Sequence, residues 1–205
     1  MKIMALPALA VTVAWAATGA AAQTLVPHAP LVTQFGACAA RQLPERARAL
    51  MATPVDSRAE RRAARRLAES RSACVNVRMQ SLTMHTGEFR GAVAQALLER
   101  DPAAMARLRA MPPSAAVRAQ AADGRAFVAA YARCLADADP PRAAALLSIA
   151  PQTPEHRDAF LAFGQTLSDC MPHGLRYRIN QFDVRNHIAV RLYEVAYPGT
   201  RPAAD

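Results

Sequence analysis

The hydrophobic and polar positions between residues 57 and 74 follow the period of an α-helix. Ala63, Leu67 and Cys74 fall on one side of that helix, and arginines occupy the opposite side. The same apolar spacing occurs once more along the chain, at Ala159, Phe163 and Cys170. We therefore predict two helices of this kind, each with its apolar side in the core.

Prolines and capping residues indicate where the predicted helices begin. Pro44 and Pro140 each follow a cysteine-bearing helical segment, and a proline ring suits the first turn of a short second helix. Ser57 is followed three residues later by Glu60, a pattern typical of a capping box. Thr153 precedes another proline and is predicted to start the corresponding third helix in the later part of the chain.

The pattern changes after the second cysteine of each set. Apolar residues alternate with arginine over residues 175–179, and the alternation is weaker over 75–79. Such alternation favours a short extended segment. We predict that a fourth helix follows each segment, over 89–100 and 184–197.

Two stretches of the chain match each other. They are CAARQLPERARALM, from Cys38 to Met51, and CLADADPPRAAALL, from Cys134 to Leu147. The correspondence continues downstream, where FRGAVAQALLE lies over VRNHIAVRLYE once one residue is deleted. Internal similarity of this kind is the signature of a repeat architecture. We predict a mainly α fold of two tandem four-helix-like repeats, each with one disulfide and one short extended segment.

The repeat divides the chain into five predicted segments. They are a signal peptide at 1–22, a first repeat unit at 30–100, a connector at 101–125, a second repeat unit at 126–197 and a disordered tail at 198–205. The connector is expected to be partly helical, because it opens with an Asp-Pro pair that is typical of a helix start.

The first residues, MKIMALPALAVTVAWAATGAAAQT, have the features of a secretory signal. One lysine precedes an apolar stretch, and Ala20 and Ala22 have the spacing that signal peptidase needs. The alternative is a membrane anchor, but Pro7 and the many alanines make the stretch a poor one. We expect cleavage after Ala22, a periplasmic or secreted protein, and no transmembrane segment in the cleaved chain.

Four cysteines in an exported chain indicate two disulfides, because oxidising compartments form and keep them. Three connectivities are open, and all of them respect the repeat. We favour Cys38 with Cys74 and Cys134 with Cys170, because each pair would tie antiparallel helices within one unit. Closing a loop of that size stabilises a fold by roughly 4 kcal/mol in the chain-entropy model.

Basic residues outnumber acidic ones, 25 to 16, and the formal net charge is +9. Outside the cytoplasm such a chain would meet an acidic envelope protein or anionic lipid rather than nucleic acid. The clearest candidate surface is the arginine side of the third helix in the first unit, here named the basic face. It comprises Arg58, Arg61, Arg62, Arg65 and Arg66. The alternative is a solvated surface with no partner.

Two arginine and glutamate pairs recur at corresponding positions of the units. They are Arg90 with Glu99, and Arg185 with Glu194. Members of each pair lie on opposite sides of their helix, so neither pair is an intrahelical salt bridge. The charges either meet across the two units or serve the caps and loops of their own unit. We predict structural ion pairs that hold the repeat together.

Sequence motifs for catalysis and metal binding are missing. The chain has no GxSxG, no glycine-rich phosphate loop, no CxxC and no HExxH. Cys170 and His173 have a ligand-like spacing, but Cys170 is better used in a disulfide. We therefore predict no catalytic residue, no metal site and no cofactor. The alternative is a small exported hydrolase, because a triad is defined by geometry rather than by spacing.

The motif set resembles that of uncharacterised exported tandem-repeat proteins of GC-rich proteobacteria. Its elements here are FGAC, PERARALM, Cys74 and FRGAVAQALLE, followed by YARC, PRAAALL, Cys170 and VRNHIAVRLYE. The second copy has Asn186 where the first has a glycine. The resemblance carries no known activity. We expect an exported, non-enzymatic structural or binding protein of the cell envelope.

Overall fold

The computed structural model of the protein describes residues 28–69, 74, 83–120, 124–172 and 179–200. These ranges contain ten α-helices and no β-strand. The helices are α1 (His28–Gln42), α2 (Pro44–Met51), α3 (Arg58–Glu69), α4 (Thr86–Glu99), α5 (Pro102–Ala110), α6 (Gly124–Ala138), α7 (Pro140–Leu147), α8 (Pro154–Leu161), α9 (Gln165–Asp169) and α10 (Gln181–Ala196). None of the described helices is long and apolar enough to span a membrane. The predicted mainly α fold is confirmed.

Helices α4 and α10 pack against each other in the middle of the molecule, α1 packs against α4, and α6 packs against α10. Two glycines allow these close approaches. A Cβ atom on Gly91 would lie 2.6 Å from the Cα of Asn186, and one on Gly36 would lie 2.9 Å from the carbonyl carbon of Ala92. The central helices are therefore α1, α4, α10 and α6.

Both halves of the chain, α1 to α4 and α6 to α10, contribute to one continuous apolar core. Leu50 and Leu67 from the first half are fully buried in it, as are Leu147 and Ile188 from the second. Because most of the buried apolar side chains form one cluster, and a smaller second cluster also joins α1 and α4 to α10, we expect the halves to stabilise each other.

Both disulfides of the favoured connectivity are present. Cys38 is bonded to Cys74, and Cys134 is bonded to Cys170, with a Cα–Cα distance of 5.7 Å in each pair. The prediction is confirmed over the two other connectivities. Disulfides persist in oxidising compartments, which places the protein outside the cytoplasm.

The fourth helix of each half begins earlier than predicted, at Thr86 and at Gln181. Capping explains both starts. The Glu88 carboxylate accepts a hydrogen bond from the backbone N–H of His85 at 2.9 Å, and the Asn180 side chain accepts one from the first turn of α10 at 3.0 Å. These caps extend each helix by a turn beyond its apolar pattern.

The predicted third helix of the second half is broken. Gly164, between α8 and α9, has a φ of +53°, a conformation that favours glycine and ends the helix. Ala159, Phe163 and Cys170 therefore do not lie on one continuous helix. Phe163 and Cys170 are nevertheless buried in the core, as the spacing predicted.

The connector contains α5, which begins after Asp101 as predicted. The Asp101 carboxylate accepts a hydrogen bond from the N–H of Ala104 at 2.9 Å. Residues 111–120 are not helical, and the N–H of Ala119 in this segment donates to the carbonyl of Cys170 at 3.1 Å. The connector is thus held against the second half.

Several predicted segments lie outside the described residues. They are the signal peptide at 1–22, the extended segment at 75–79 and, apart from Ile179, the extended segment at 175–179. Of the predicted tail, Pro198–Thr200 forms a 3-10 turn after α10, and residues 201–205 lie outside the described residues.

Candidate functional site

The basic face lies on α3, and all five of its arginines are exposed to solvent. Ala64 and Leu67 on the opposite side of the helix are buried in the core. Leu67 is buried as predicted, whereas Ala63 is only half-buried and its neighbour Ala64 is buried instead. That this surface binds a partner stays a prediction.

The first turn of α3 is fixed by a network of hydrogen bonds. The Ser57 hydroxyl accepts from the N–H of Glu60 at 3.0 Å, and the Glu60 carboxylate accepts from the N–H of Asp56 at 2.6 Å. The Ser57 half of the predicted capping box is therefore formed, whereas Glu60 accepts from Asp56, the residue before the cap, instead of from Ser57. Arg61 donates to the carbonyl of Asp56 at 2.9 Å, which orders one member of the basic face.

Arg90 holds the first half together from inside the core, where it is 2% exposed. Its guanidinium donates to the backbone carbonyls of Leu50, Met51 and Thr53 at 3.1, 2.8 and 3.0 Å. It also forms an ion pair with Glu60 at 3.2 Å. Arg90 therefore caps the carboxyl end of α2 and joins it to α3.

Arg185 makes the corresponding hydrogen bonds to backbone carbonyls in the second half. It is 1% exposed and donates to the carbonyls of Leu147 and Ile149 at 2.9 and 3.0 Å. Its third partner is the Gln95 side-chain oxygen at 2.6 Å, so a neutral group on α4 takes the place of a carboxylate. Arg185 therefore caps α7 and joins it to α4.

The predicted ion-pair partners of these arginines are corrected by the structure. Arg90 pairs directly with Glu60, whereas Glu99 accepts from the Gln95 amide and Glu194 accepts from Arg191. Each predicted glutamate still affects the buried arginine of the other half through its charge. Glu194 opposes the lowering of the Arg90 pKa by burial, and Glu99 opposes the corresponding lowering in Arg185.

His156 occupies the position in α8 that Glu60 occupies in α3. It is 2% exposed, and its Nε2 atom has no hydrogen-bond partner among the described residues. Burial, together with the charge of Arg185, lowers its pKa to about 4. A neutral histidine therefore lies beside Arg185, where the first half has a carboxylate beside Arg90.

A cavity of about 490 Å³ opens between the first turns of α4 and α10. We name it the acidic cavity. Among its lining residues are Asp56, His85, Glu88, Asp183, Asn186 and His187. The sequence does not predict this site, because its residues are far apart along the chain. The one available signal was that α4 and α10 each have an acidic residue in the first turn.

Charges inside the acidic cavity influence one another. Burial and the neighbouring Glu88 raise the pKa of Asp183. Burial lowers the pKa of His187, and the carboxylates of Asp183 and Asp56 oppose that effect. The His28 Nε2 atom lies 3.4 Å from the Glu88 carboxylate at the edge of the site. Arg61 of the basic face also lines the cavity, but the carboxylates of Asp56, Glu60, Glu88 and Asp183 outnumber it there.

A second cavity, of about 660 Å³, lies near the other ends of α4 and α10. Its lining includes Arg100, Asp101, Tyr193 and Tyr197. The Tyr197 hydroxyl donates to the Asp101 carboxylate at 2.8 Å, and this bond joins the end of α10 to the start of α5. The polar groups named here serve the packing of helix ends.

Metal binding has no support in the described part of the chain, where no group of three or more His, Cys, Asp or Glu side chains could hold an ion. His173, which the sequence analysis considered beside Cys170, lies outside the described residues. Cys170 itself is committed to a disulfide.

No protein-family model, curated protein or solved structure matches this chain. The function is therefore argued from the geometry of the basic face and the acidic cavity alone.

Proposed function

We propose that this protein is an exported, non-enzymatic binding protein of the cell envelope, and that the basic face of α3 holds an acidic protein partner. The observation that carries the proposal is the exposure of five guanidinium groups on one helix. An arginine fork pairs with a carboxylate through two parallel hydrogen bonds, so acidic side chains are its best-matched protein ligands.

The basic face is attached to a rigid support. Glu60, in the first turn of α3, is paired with buried Arg90, and Leu67 near the other end is fully buried. A partner that binds here would order arginine side chains, but it would not have to order the helix. Such preorganisation favours binding because less conformational entropy is lost.

An acidic protein suits this surface better than an anionic membrane does. Helices that lie in a membrane surface insert large apolar side chains into the lipid. The apolar residues Ala64 and Leu67 of α3 are instead buried in the protein core. Binding to anionic lipid is therefore the competing outcome of the test.

Export to the periplasm or to the outside of the cell is part of the proposal. It is supported by the two disulfides and by the signal-like residues 1–22. We also propose that the protein belongs to the exported tandem-repeat proteins that its motifs resemble, because it has the signal-like start and the paired cysteines of an exported chain. This membership is further supported by the matching hydrogen bonds of Arg90 and Arg185.

The alternative of a small exported hydrolase is less well supported. Among the described residues that line the acidic cavity, the only hydroxyl belongs to Thr86. No hydrogen bond joins that hydroxyl to His85 or His187 within the described residues. A nucleophile activated by a neighbouring base, which acyl-transfer chemistry requires, is not assembled there.

The test compares two triple variants with the same change of charge. One carries Arg58→Glu, Arg62→Glu and Arg65→Glu, which spares Arg61 and Arg66 because both make further contacts. The control reverses three exposed arginines elsewhere, Arg41, Arg107 and Arg133. Each purified protein is used to capture proteins from envelope extract, and every captured protein is then purified and titrated against all three.

We expect the parent and the control to bind an acidic protein, and the basic-face variant to bind it at least about ten-fold more weakly. Raising the salt concentration should weaken the parent complex, because screening reduces attraction between exposed charges. Equal binding by the two triple variants would contradict the proposal. The proposal would also be contradicted if the parent protein bound vesicles of anionic lipid and captured no protein partner.

A further inference from the structure

The inner wall of the acidic cavity contains a buried donor without a partner. Asn186 lines the cavity and is 2% exposed, and its Nδ2 group meets no acceptor among the described residues. Buried polar groups in folded proteins are almost always hydrogen-bonded. The Asn186 amide therefore points to an acceptor that a bound molecule would supply.

Asn186 is held firmly in this place. Its backbone lies so close to α4 that a Cβ atom on Gly91 would be 2.6 Å from the Asn186 Cα and 2.7 Å from its Oδ1. Residues on both central helices thus fix the amide. Such a supported side chain can select a ligand by the position of one oxygen atom.

Asp183, at the cavity wall, has no ion-pair partner among the described residues, whereas the Glu88 carboxylate lies 3.4 Å from the His28 Nε2 atom. Glu88 and Asp183 project from the first turns of α4 and α10, and the charge of Glu88 raises the pKa of Asp183. The Asp183 carboxylate accepts no hydrogen bond from the described residues. Arg61, His85 and His187 are the cationic or titratable basic groups that line the cavity, and His28 lies at its edge. A ligand with a positive charge would relieve the repulsion between the carboxylates.

We propose that the acidic cavity binds a small primary amine that also carries a carbonyl or carboxylate oxygen. Its ammonium group lies between Glu88 and Asp183, and its oxygen accepts a hydrogen bond from Asn186 Nδ2. This is the chemistry of amino acids and of the amino-terminal end of peptides. The volume of about 490 Å³ lies within the range of small-molecule sites.

The binding test uses five probes on the purified exported protein. Alanine, alaninamide and trialanine carry both functional groups, and they distinguish a free amino acid from a peptide end. Propylamine has no oxygen, and propionamide has no charge. Calorimetric titration should show binding of at least one of the first three. Propylamine and propionamide should each bind at least about ten-fold more weakly, because each loses one of the two contacts.

Two substitutions and one control locate the binding site. Asp183→Asn removes the charge and keeps the shape, whereas Asn186→Ala removes the donor and keeps the Cβ atom against α4. Asp158→Asn is the control, because Asp158 is exposed on α8 away from the cavity. We expect each cavity variant to weaken probe binding by about ten-fold or more, and the control to leave it unchanged.

The folded stability of Asn186→Ala gives a second readout. Because the substitution deletes an unpaired buried donor, the melting temperature of the ligand-free variant should not fall. The proposal is overturned if no probe binds the parent protein. It is also overturned if the cavity variants bind as the parent does, or if propylamine binds as tightly as alaninamide. None of these outcomes bears on the basic face, whose arginines are unchanged in both cavity variants.

Discussion

Arg90 and Arg185 show how one residue type can do the same structural work in two electrostatic settings. Each caps the carboxyl end of a short helix through backbone carbonyls. Arg90 has a carboxylate partner in Glu60, whereas Arg185 lies beside His156 and bonds to Gln95. Burial accordingly lowers the pKa of Arg185 to about 10, and among the described residues only the charge of Glu99 opposes that effect.

The buried histidine makes the stability of the protein dependent on pH. The pKa of His156 is about 4 in the folded protein, against 6.5 for an ordinary histidine. Between pH 4 and 6.5 the unfolded chain therefore binds more protons at His156 than the folded protein does. The contribution of neutral His156 to the unfolding free energy is complete above pH 6.5 and is lost as the pH falls towards 4. The unfolding free energy falls by up to about 3 kcal/mol over this range.

We predict that His156→Gln flattens the decline in unfolding free energy between pH 6.5 and 4. The measurement is urea unfolding of the parent and the variant at a series of pH values. His187 is present in both proteins, and burial lowers its pKa in both, so the difference between the two curves reports His156. If the unfolding free energies of the parent and the variant had the same dependence on pH, His156 would not be the source of the decline.

At the scale of the helix, the packing of α4 against α10 depends on the absence of one side chain. Gly91 lies at the contact with Asn186. Gly87 is in the first turn of the same helix, and a Cβ atom there would meet no described atom within 4 Å. Substitution of Gly87 therefore tests helix propensity alone, whereas substitution of Gly91 tests helix propensity together with packing.

We predict opposite effects for alanine at these two positions. Gly87→Ala should stabilise the protein by about 0.5–1 kcal/mol, because alanine restricts the unfolded chain and favours the helix. Gly91→Ala should destabilise it by about 1–3 kcal/mol or more, since α4 and α10 must move apart. Denaturant unfolding of both variants is the measurement. A neutral Gly91→Ala would show that the contact is adaptable.

At the scale of the molecule, both halves share one apolar core, although each has its own disulfide. A crosslink within one half should therefore stabilise the entire fold. The disulfide acts mainly by restricting the unfolded chain.

We predict that replacing either cysteine pair with alanine lowers the unfolding free energy by about 4 kcal/mol and leaves a single cooperative transition. Scanning calorimetry of the variants Cys38→Ala/Cys74→Ala and Cys134→Ala/Cys170→Ala tests this. Two separate transitions, with only one of them shifted in each variant, would mean that the halves fold independently.

Local features of the fold were predictable because they depend on neighbours within a turn or two of helix. The prolines at 44 and 140 mark the starts of α2 and α7, and the Ser57 hydroxyl caps the start of α3. The exposure of the basic face follows from the helical period alone. The pairing of Cys38 with Cys74 was favoured by the same local argument, and the structure confirms it.

Tertiary structure alone decided which distant polar groups meet. Glu60, rather than Glu99, became the partner of Arg90, because packing brings the start of α3 to the buried side of α4. The acidic cavity exists only because the first turns of α4 and α10 are adjacent. Periodicity along a chain determines which side of a helix is buried, whereas the opposing surface depends on contacts between residues far apart in sequence.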